Sequence, residues 1–162
     1  MKRIFILALC CFSQLLVAED QPVTHIDFTL PGLDGNSYSV SQFHDHWVVV
    51  NFWATWCGPC RKEIPELSEL HTERDDVIVL GIAYEDLDPS GFEMFLNEYN
   101  PSYPILLPDV YDMPAALEIP RVLPTTFIVN PAGEKVRTFM GPITREELER
   151  AFITAADTAQ AE

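Results

Sequence analysis

Two cysteines, Cys57 and Cys60, lie in one Cys-Gly-Pro-Cys tetrapeptide of this 162-residue chain. The apolar run Trp47–Trp53 before them predicts a buried strand, and the residues from Gly58 to about His71 predict a helix. A Cys-X-X-Cys pair between a strand and a helix is typical of redox chemistry. Free N–H groups and the positive dipole end at the start of a helix stabilise a thiolate. We therefore expect Cys57 to attack a partner's disulfide and Cys60 to resolve the mixed disulfide.

Five residues next to these sulfurs adapt the pair to that chemistry. Trp56, Gly58 and Pro59 frame it. The proline removes no hydrogen bond just inside a helix, and the glycine keeps the approach to the first cysteine open. Arg61 and Lys62 follow directly. They either place positive charge beside the sulfurs or form an ordinary solvated helix face, since exposed charges contribute little to stability.

Two other interpretations of the cysteine pair are a permanent structural disulfide and one half of a zinc site. A structural zinc needs four ligands, which come from two such pairs or from a pair with histidines. The histidines of the chain, His25, His44, His46 and His71, show no matching spacing. We therefore favour redox chemistry, with no metal and with no cofactor other than the redox-active disulfide.

The overall charge excludes several classes of partner. The chain has 25 acidic and 10 basic residues, which give a formal net charge of −15. Nucleic acids and anionic membrane surfaces both bind through lysine and arginine. We therefore expect no nucleic-acid partner and a soluble, self-repelling surface.

The N-terminus has the pattern of a secretory signal peptide. A basic start at Met1–Arg3 precedes an apolar run from Ile4 to Val17, and Ala18 follows. We predict that residues 1–18 are a signal peptide, with an uncleaved membrane anchor as the alternative. Their removal takes away two basic residues and two cysteines and leaves a net charge of −17. Residues 19–157 then form the folded domain, and residues 158–162 form a polar tail.

Strand and helix patterns alternate along that domain, which predicts an α/β fold. A turn over Leu33–Asn36 and a last helix that begins with a Thr144/Glu147 capping box mark its two ends. The remaining predicted elements are strands over 26–30, 37–40, 77–83, 103–107, 125–129 and 136–140, a helix from Asp88 to about Tyr99, and a short helix over 113–118.

Three sequence blocks resemble the TlpA/ResA-like branch of the thioredoxin superfamily. They are Asn51–Cys60 with the Glu-Ile-Pro that follows, Leu123–Phe127, and Asn130–Gly133. The resemblance covers roughly residues 25–155. It implies a thioredoxin fold, which is a central mixed sheet flanked by helices. It also implies an N-terminal β-hairpin and an α/β insertion before a cis-proline.

The resemblance further assigns residues to roles. Pro124 matches the cis-proline that faces the disulfide, and with Leu123 and Thr125 it would bind the substrate strand by β-augmentation. Glu85 matches a glutamate that follows the next strand and would accept the proton of Cys60. The alternative is that Glu85 merely begins a solvated loop.

Two further positions deserve comparison with the family pattern. Glu63 is a second candidate for the proton acceptor, although an acidic residue in a first helical turn also stabilises the helix dipole. Asn51 stands where thioredoxin itself has a buried aspartate, and an amide cannot accept a proton as a carboxylate does.

The resemblance implies an extracytoplasmic, periplasmic bacterial enzyme that reduces disulfides of secreted proteins or of apocytochrome c. Its electrons would come from a membrane reductase of the DsbD or CcdA type. We expect a monomer whose only contact with the membrane is the N-terminal segment, if that segment remains.

Alternatives from other classes are a disulfide oxidase or isomerase of the same fold and a copper-handling thioredoxin-like module. The opening Phe28–Gly35 also resembles peroxiredoxins. Those carry a threonine three residues before the peroxidatic cysteine, where this chain has Ala54.

Overall fold

The computed structural model describes residues 24–159. The predicted signal segment over residues 1–18 lies outside this range, as do residues 160–162 of the predicted polar tail. The described helices are α1 (Gly58–Glu73), α2 (Glu93–Tyr99) and α3 (Arg145–Ala159), with 3-10 turns at Val40–Phe43 and Pro89–Phe92. Within residues 24–159 no helix combines the length and the apolar character that a membrane span requires.

A six-stranded mixed sheet forms the centre of the protein, with the strand order β1-β8-β7-β4-β5-β6. Strands β4, β5 and β6 run parallel, whereas β7, β8 and β1 add antiparallel partners. A separate hairpin pairs β2 with β3. The strands are β1 (Thr24–His25), β2 (Thr29–Pro31), β3 (Ser37–Ser39), β4 (Trp47–Trp53), β5 (Val77–Ala83), β6 (Ile105–Leu106), β7 (Thr125–Val129) and β8 (Glu134–Met140).

The buried side chains of the central strand alternate between two apolar clusters, because successive side chains of a strand point to opposite faces. Val49 and Trp53 of β4 pack with the buried faces of α1, α2 and α3. Val48, Val50 and Phe52 point to the other face. That face is covered by the N-terminal segment and by Leu117, whose neighbours in this second cluster include Ile26, Phe28 and Leu30. This arrangement is the thioredoxin fold that the resemblance implied, with the N-terminal hairpin and the insertion between β5 and β7.

Gly81 allows two aromatic side chains to lie directly on the sheet. It pairs with Asn51 in the parallel register of β4 and β5. A Cβ atom at this position would lie 2.7 Å from Tyr103 Cε2 and 3.0 Å from Trp53 Nε1. The missing side chain therefore lets Trp53 and Tyr103, which lies just before β6, pack directly against β5.

Within residues 24–159, the outer strands of the sheet, β1 and β6, have two residues each. The hairpin lies along β6, where Gly32 bridges to Leu106. Leu33 N donates to Ile105 O at 2.8 Å, and Leu107 N donates to Pro31 O at 2.8 Å. The hairpin thus closes the β6 side of the sheet.

Several predicted elements differ in the structure. The strand predicted over 103–107 is reduced to Ile105–Leu106, and the helix predicted from Asp88 begins as a 3-10 turn at Pro89–Phe92. Residues 113–118 form turns instead of a helix, with one hydrogen bond from Leu117 N to Pro114 O. Leu117 is the one buried residue of the segment, so burial of an apolar face does not stabilise a helix there. The strand predicted over 26–30 is reduced to β2, because only residues 29–31 pair with the returning strand.

Candidate active site

The two cysteines form a disulfide at the start of α1, with their Cα atoms 5.3 Å apart. Cys57 is the residue that caps α1, and its sulfur accepts a hydrogen bond from Cys60 N at 3.3 Å. Cys57 retains 5% exposure, whereas Cys60 is completely buried. An external sulfur therefore reaches Cys57 first. The N–H donor and the positive end of the helix favour a thiolate at Cys57 once the disulfide is reduced.

Three residues frame this disulfide at the protein surface. Trp56 is 67% exposed and forms a broad apolar rim. Gly58 and Pro59 are the first two residues of α1, where a proline removes no helical hydrogen bond. A Cβ atom at Gly58 would have no neighbour closer than 3.8 Å, so the approach to the disulfide is open on this side.

The loop before β7 lies beside the cysteine loop. Thr125, the first residue of β7, pairs with Phe52 near the end of β4. Because the two strands are antiparallel, the residues before Thr125 continue alongside the residues after Phe52. The Leu123–Pro124 peptide bond is cis. Gly141 N donates to Pro124 O at 2.8 Å, and Thr125 Oγ1 donates to Val122 O at 2.7 Å. These bonds fix the loop on both sides of Leu123.

Glu85 is attached to the cysteine loop through Thr55. Its Oε1 accepts from Thr55 N at 2.6 Å, and its Oε2 accepts from Thr55 Oγ1 at 3.0 Å. Arg61 Nη1 donates to Thr55 O at 3.1 Å. Thr55, two residues before Cys57, is thus held from both sides. The sequence did not single out Thr55, because its contacts depend on the position of β5 next to β4.

Glu63 is buried one helical turn after Cys60, with 3% exposure. Its Oε1 accepts from Asn51 Nδ2 at 2.8 Å, and its Oε2 accepts from Ile143 N at 3.1 Å. Burial raises the pKa of Glu63 to about 7, and the two donated hydrogen bonds only partly oppose that shift. A carboxyl group that titrates near neutral pH therefore lies one helical turn from the buried cysteine on the same side of α1.

Asn51 connects this carboxyl group to β7. Its Nδ2 donates to Glu63 Oε1 and, at 2.9 Å, to Thr126 Oγ1. Its Oδ1 is buried without a hydrogen-bond partner within residues 24–159. At the position where thioredoxin has an aspartate, this chain therefore has a donor that faces a neighbouring carboxyl group.

The described residues contain no group of three or more histidine, cysteine, aspartate or glutamate side chains that is suited to a metal ion. A copper-handling function would therefore have to rest on the two cysteine sulfurs, which bind soft Cu(I) only after reduction.

The comparisons with known proteins agree with this geometry. Residues 23–138 match the model of the AhpC/TSA family. The thiol-disulfide oxidoreductase ResA of Geobacillus kaustophilus is 32% identical over 126 residues, which are 76% of this chain and 71% of that protein. The thioredoxin-like protein YneN of Bacillus subtilis is 32% identical over 127 residues, with coverages of 76% and 74%.

Solved structures show the same fold. A DsbF homologue from Corynebacterium diphtheriae superposes with a TM-score of 0.69 at 25% identity, and the match covers 80% of this chain and 85% of that one. A secreted thiol-disulfide isomerase from Corynebacterium glutamicum superposes with a TM-score of 0.67 at 24% identity, with coverages of 83% and 86%.

Proposed function

The chain belongs to the AhpC/TSA family and, within the thioredoxin superfamily, to the TlpA/ResA-like thiol-disulfide oxidoreductases, and we propose that it reduces protein disulfides outside the cytoplasm. The observation that carries this proposal is the disulfide between Cys57, which retains 5% exposure, and the completely buried Cys60, one helical turn before the buried carboxyl group of Glu63. A peroxidase is disfavoured, because Ala54 occupies the position of the threonine that peroxiredoxins use.

The reaction begins with the dithiol form. The Cys57 thiolate attacks one sulfur of the partner's disulfide, which forms a mixed disulfide and releases the partner's other sulfur as a thiolate that takes a proton. Cys60 then gives up its proton and attacks the Cys57 sulfur. The Cys57–Cys60 disulfide forms, and the partner's second sulfur leaves as a thiolate that is also protonated. Two electrons have passed from the dithiol to the partner.

The substrate is an extended segment that pairs with the loop before β7. Leu123 has no hydrogen bond from its N–H or to its C=O within residues 24–159, whereas its neighbours in the loop are bonded. A substrate strand can therefore bond to the Leu123 backbone next to Pro124 and bring its disulfide to Cys57 by β-augmentation. Thr125 holds the loop in shape through its bond to Val122.

Glu63 is our preferred acceptor for the Cys60 proton, because its pKa of about 7 suits a base at neutral pH. Glu85, the acceptor that the resemblance implied, is the second candidate. Both of its carboxylate oxygens accept hydrogen bonds from Thr55, which supports a positioning role for Glu85 at the cysteine loop.

The direction and the partners complete the proposal. The Gly58-Pro59 dipeptide is the reducing thioredoxin type, which favours reduction over the oxidase or isomerase alternative. The substrates would be secreted proteins or apocytochrome c, and a membrane reductase of the DsbD or CcdA type would return Cys57 and Cys60 to the dithiol. The signal pattern of residues 1–18 supports an extracytoplasmic, periplasmic location.

The decisive experiment separates the roles of the two cysteines. Cys57→Ser should abolish disulfide reduction, because it removes the attacking sulfur. Cys60→Ser should instead accumulate mixed disulfides with natural partners, which mass spectrometry of the trapped complexes identifies. Preferential alkylation of Cys60 in the reduced protein at neutral pH would contradict the assignment, and copper bound in stoichiometric amount to the purified dithiol would favour the metal-handling alternative.

A further inference from the structure

A pocket of about 400 Å³ opens beside the reactive disulfide, and the residues that line it are Gly58, Pro59, Arg61, Lys62 and Tyr99. Gly58 and Pro59 are the two residues between Cys57 and Cys60. A group bound in this pocket therefore lies beside the turn that carries the two cysteines, although neither sulfur lines the pocket.

The Arg61 side chain is fixed at the wall of this pocket. Its Nη1 donates to Thr55 O at 3.1 Å, and its Nη2 lies 3.8 Å from the position that a Cβ atom of Gly58 would occupy. An arginine has five N–H donors. The other donors of Arg61 have no acceptor among residues 24–159, so they remain available to a ligand.

Neither cation of the pocket is neutralised by an acidic side chain. Arg61 and Lys62 form no ion pair within residues 24–159, although the chain has 25 acidic residues. The two glutamates that follow on α1 have other partners. Glu63 accepts from Asn51 and Ile143, and Glu66 Oε2 accepts from Arg145 N at 2.7 Å.

Two more features define the electrostatics of the pocket. The positive end of the α1 dipole adds to the charge of the two cations. On the α2 side, burial and the neighbouring Glu98 carboxyl group raise the pKa of Tyr99, and the charge of Arg61 opposes that shift. Glu98 therefore lies on the α2 side of the pocket, whereas the two cations line the side formed by α1.

We propose that this pocket binds an acidic side chain of the protein substrate, carried on the segment next to the substrate's reactive cysteine. The inference rests on the proposed function and adds a substrate preference to it. The guanidinium fork of Arg61 matches a carboxylate, and Lys62 supplies a second charge. Because the net charge of the chain is −15, most of its surface repels an acidic partner, and the pocket orients such a partner toward Cys57.

A different explanation of the same charges makes a different prediction. If Arg61 and Lys62 only stabilise the Cys57 thiolate, their removal slows the reduction of every substrate by the same factor. If they bind the substrate, their removal lowers the ratio of kcat/KM for an acidic substrate to kcat/KM for a neutral one. The ratio is therefore the quantity to measure.

The test uses two disulfide-bonded peptides that differ only in glutamate or glutamine residues near the reactive cysteine. We expect the reduced protein to prefer the glutamate peptide by about three- to tenfold in kcat/KM, which is the range for two partly exposed charge-assisted contacts. The double variant R61Q/K62Q should bring this ratio close to one. The matched control R150Q removes an exposed charge of α3, outside the pocket, and should keep the ratio of the parent protein.

Salt gives an independent check, because added NaCl screens exposed charges and should reduce the preference in the parent protein only. An equal rate for both peptides in the parent protein, or a preference that survives in R61Q/K62Q, overturns the proposal. So does an equal fall of both rates in that variant.

A binding measurement separates this inference from the proposed function. If the protein reduces neither peptide, the proposed function fails. Cysteine-free versions of the two peptides, titrated into the oxidised protein, then still test the pocket by NMR. The inference is supported if the glutamate peptide, and not the glutamine peptide, changes the amide chemical shifts of Gly58, Arg61 and Lys62. It is overturned if the glutamate peptide causes no such change.

Discussion

Glu63 owes its raised pKa to the face of α1 on which it lies. The buried residues of this helix include Cys60, Ile64 and Leu67, and the helical period places Glu63 on the same side. Burial penalises the charged form, and no cation lies opposite to compensate, since the two partners are the neutral N–H groups of Asn51 and Ile143. The carboxyl group therefore exchanges a proton close to physiological pH.

Glu63→Gln should remove the pH dependence of the resolving step. In the parent protein, decay of the mixed disulfide at Cys57 should accelerate as the pH rises through about 7, because Glu63 then becomes the base for Cys60. Rapid acid quenching and mass analysis across this pH range measure the decay. Glu69→Gln, an exposed glutamate of the same helix, is the control and should keep the parent profile.

Stability gives a second measurement for the same variant. Because burial raises the folded-state pKa of Glu63 from 4.5 to about 7, ionisation opposes folding, and this cost grows as the pH rises between those values. The free energy of unfolding of Glu63→Gln minus that of the parent should therefore become more positive from pH 5 to pH 8 in urea titrations, because only the parent loses stability over this range. If Glu85→Gln, and not Glu63→Gln, loses the kinetic pH dependence, Glu85 is the proton acceptor.

The two glutamates also illustrate what sequence reasoning can reach at this scale. The spacing of Cys57 and Cys60 is local, so the sequence was sufficient to pick them out. The choice between Glu63 and Glu85 depends on burial and on the β4–β5 register, which are tertiary properties. The helical spacing of Glu63 from Cys60 and Leu67 places it on the apolar face of α1, and this spacing is the sequence signal that could have favoured it over Glu85.

At the scale of elements, α1 anchors the start of α3. Glu63 and Glu66 lie one turn apart on α1 and accept the backbone N–H groups of Ile143 and Arg145. Arg145 N is the first N–H group of α3 and has no partner within the helix, and Ile143 N lies two residues before it, so the two carboxyl groups satisfy donors that would otherwise be unpaired. The helix behind the site is thereby attached to the helix that carries the cysteines.

Thr144→Ala should destabilise the protein by about 1 kcal/mol, the usual effect of removing a threonine cap. Thr144 Oγ1 accepts from Glu147 N at 3.3 Å, and Glu147 Oε2 accepts from Thr144 N at 2.9 Å, which is the predicted capping box. Chemical denaturation measures the loss. Thr154→Ala is the matched control within α3, because it removes only a back-bond to Arg150 O and should change stability little. Equal losses in both variants would contradict a capping role.

The buried strands were predictable and the short elements were not. Val77–Ala83 and Thr125–Val129 match their predictions, because both are continuous apolar or β-branched runs covered on two faces. Residues 113–118 and 26–30 carry weaker patterns, and their conformation depends on which neighbours they meet. The place of the 122–124 loop beside the cysteines likewise follows from the antiparallel pairing of β4 with β7.

At the scale of the whole molecule, the predicted signal peptide determines where the protein acts and at which residue its mature chain begins. Expression of the full sequence in a bacterium should yield a periplasmic protein whose intact mass corresponds to a chain that starts at Glu19, because residues 1–18 have the basic, apolar and small-residue order of a signal peptide. A chain that begins at Glu19 behind a new methionine is the control and should stay in the cytoplasm. Recovery of the full mass from the membrane fraction would support the anchor alternative.

The covered β6 edge of the sheet has a consequence for selectivity. A long open strand edge offers unpaired N–H and C=O groups to any extended chain and promotes aggregation. The proposed reductase must handle secreted chains before they fold, when they are rich in such segments. At the β6 edge the outer strand has only two residues, and the hairpin covers it. An unfolded chain therefore finds few unpaired backbone groups at this edge, and capture there depends on a sulfur that reacts with Cys57 instead of on indiscriminate sheet extension.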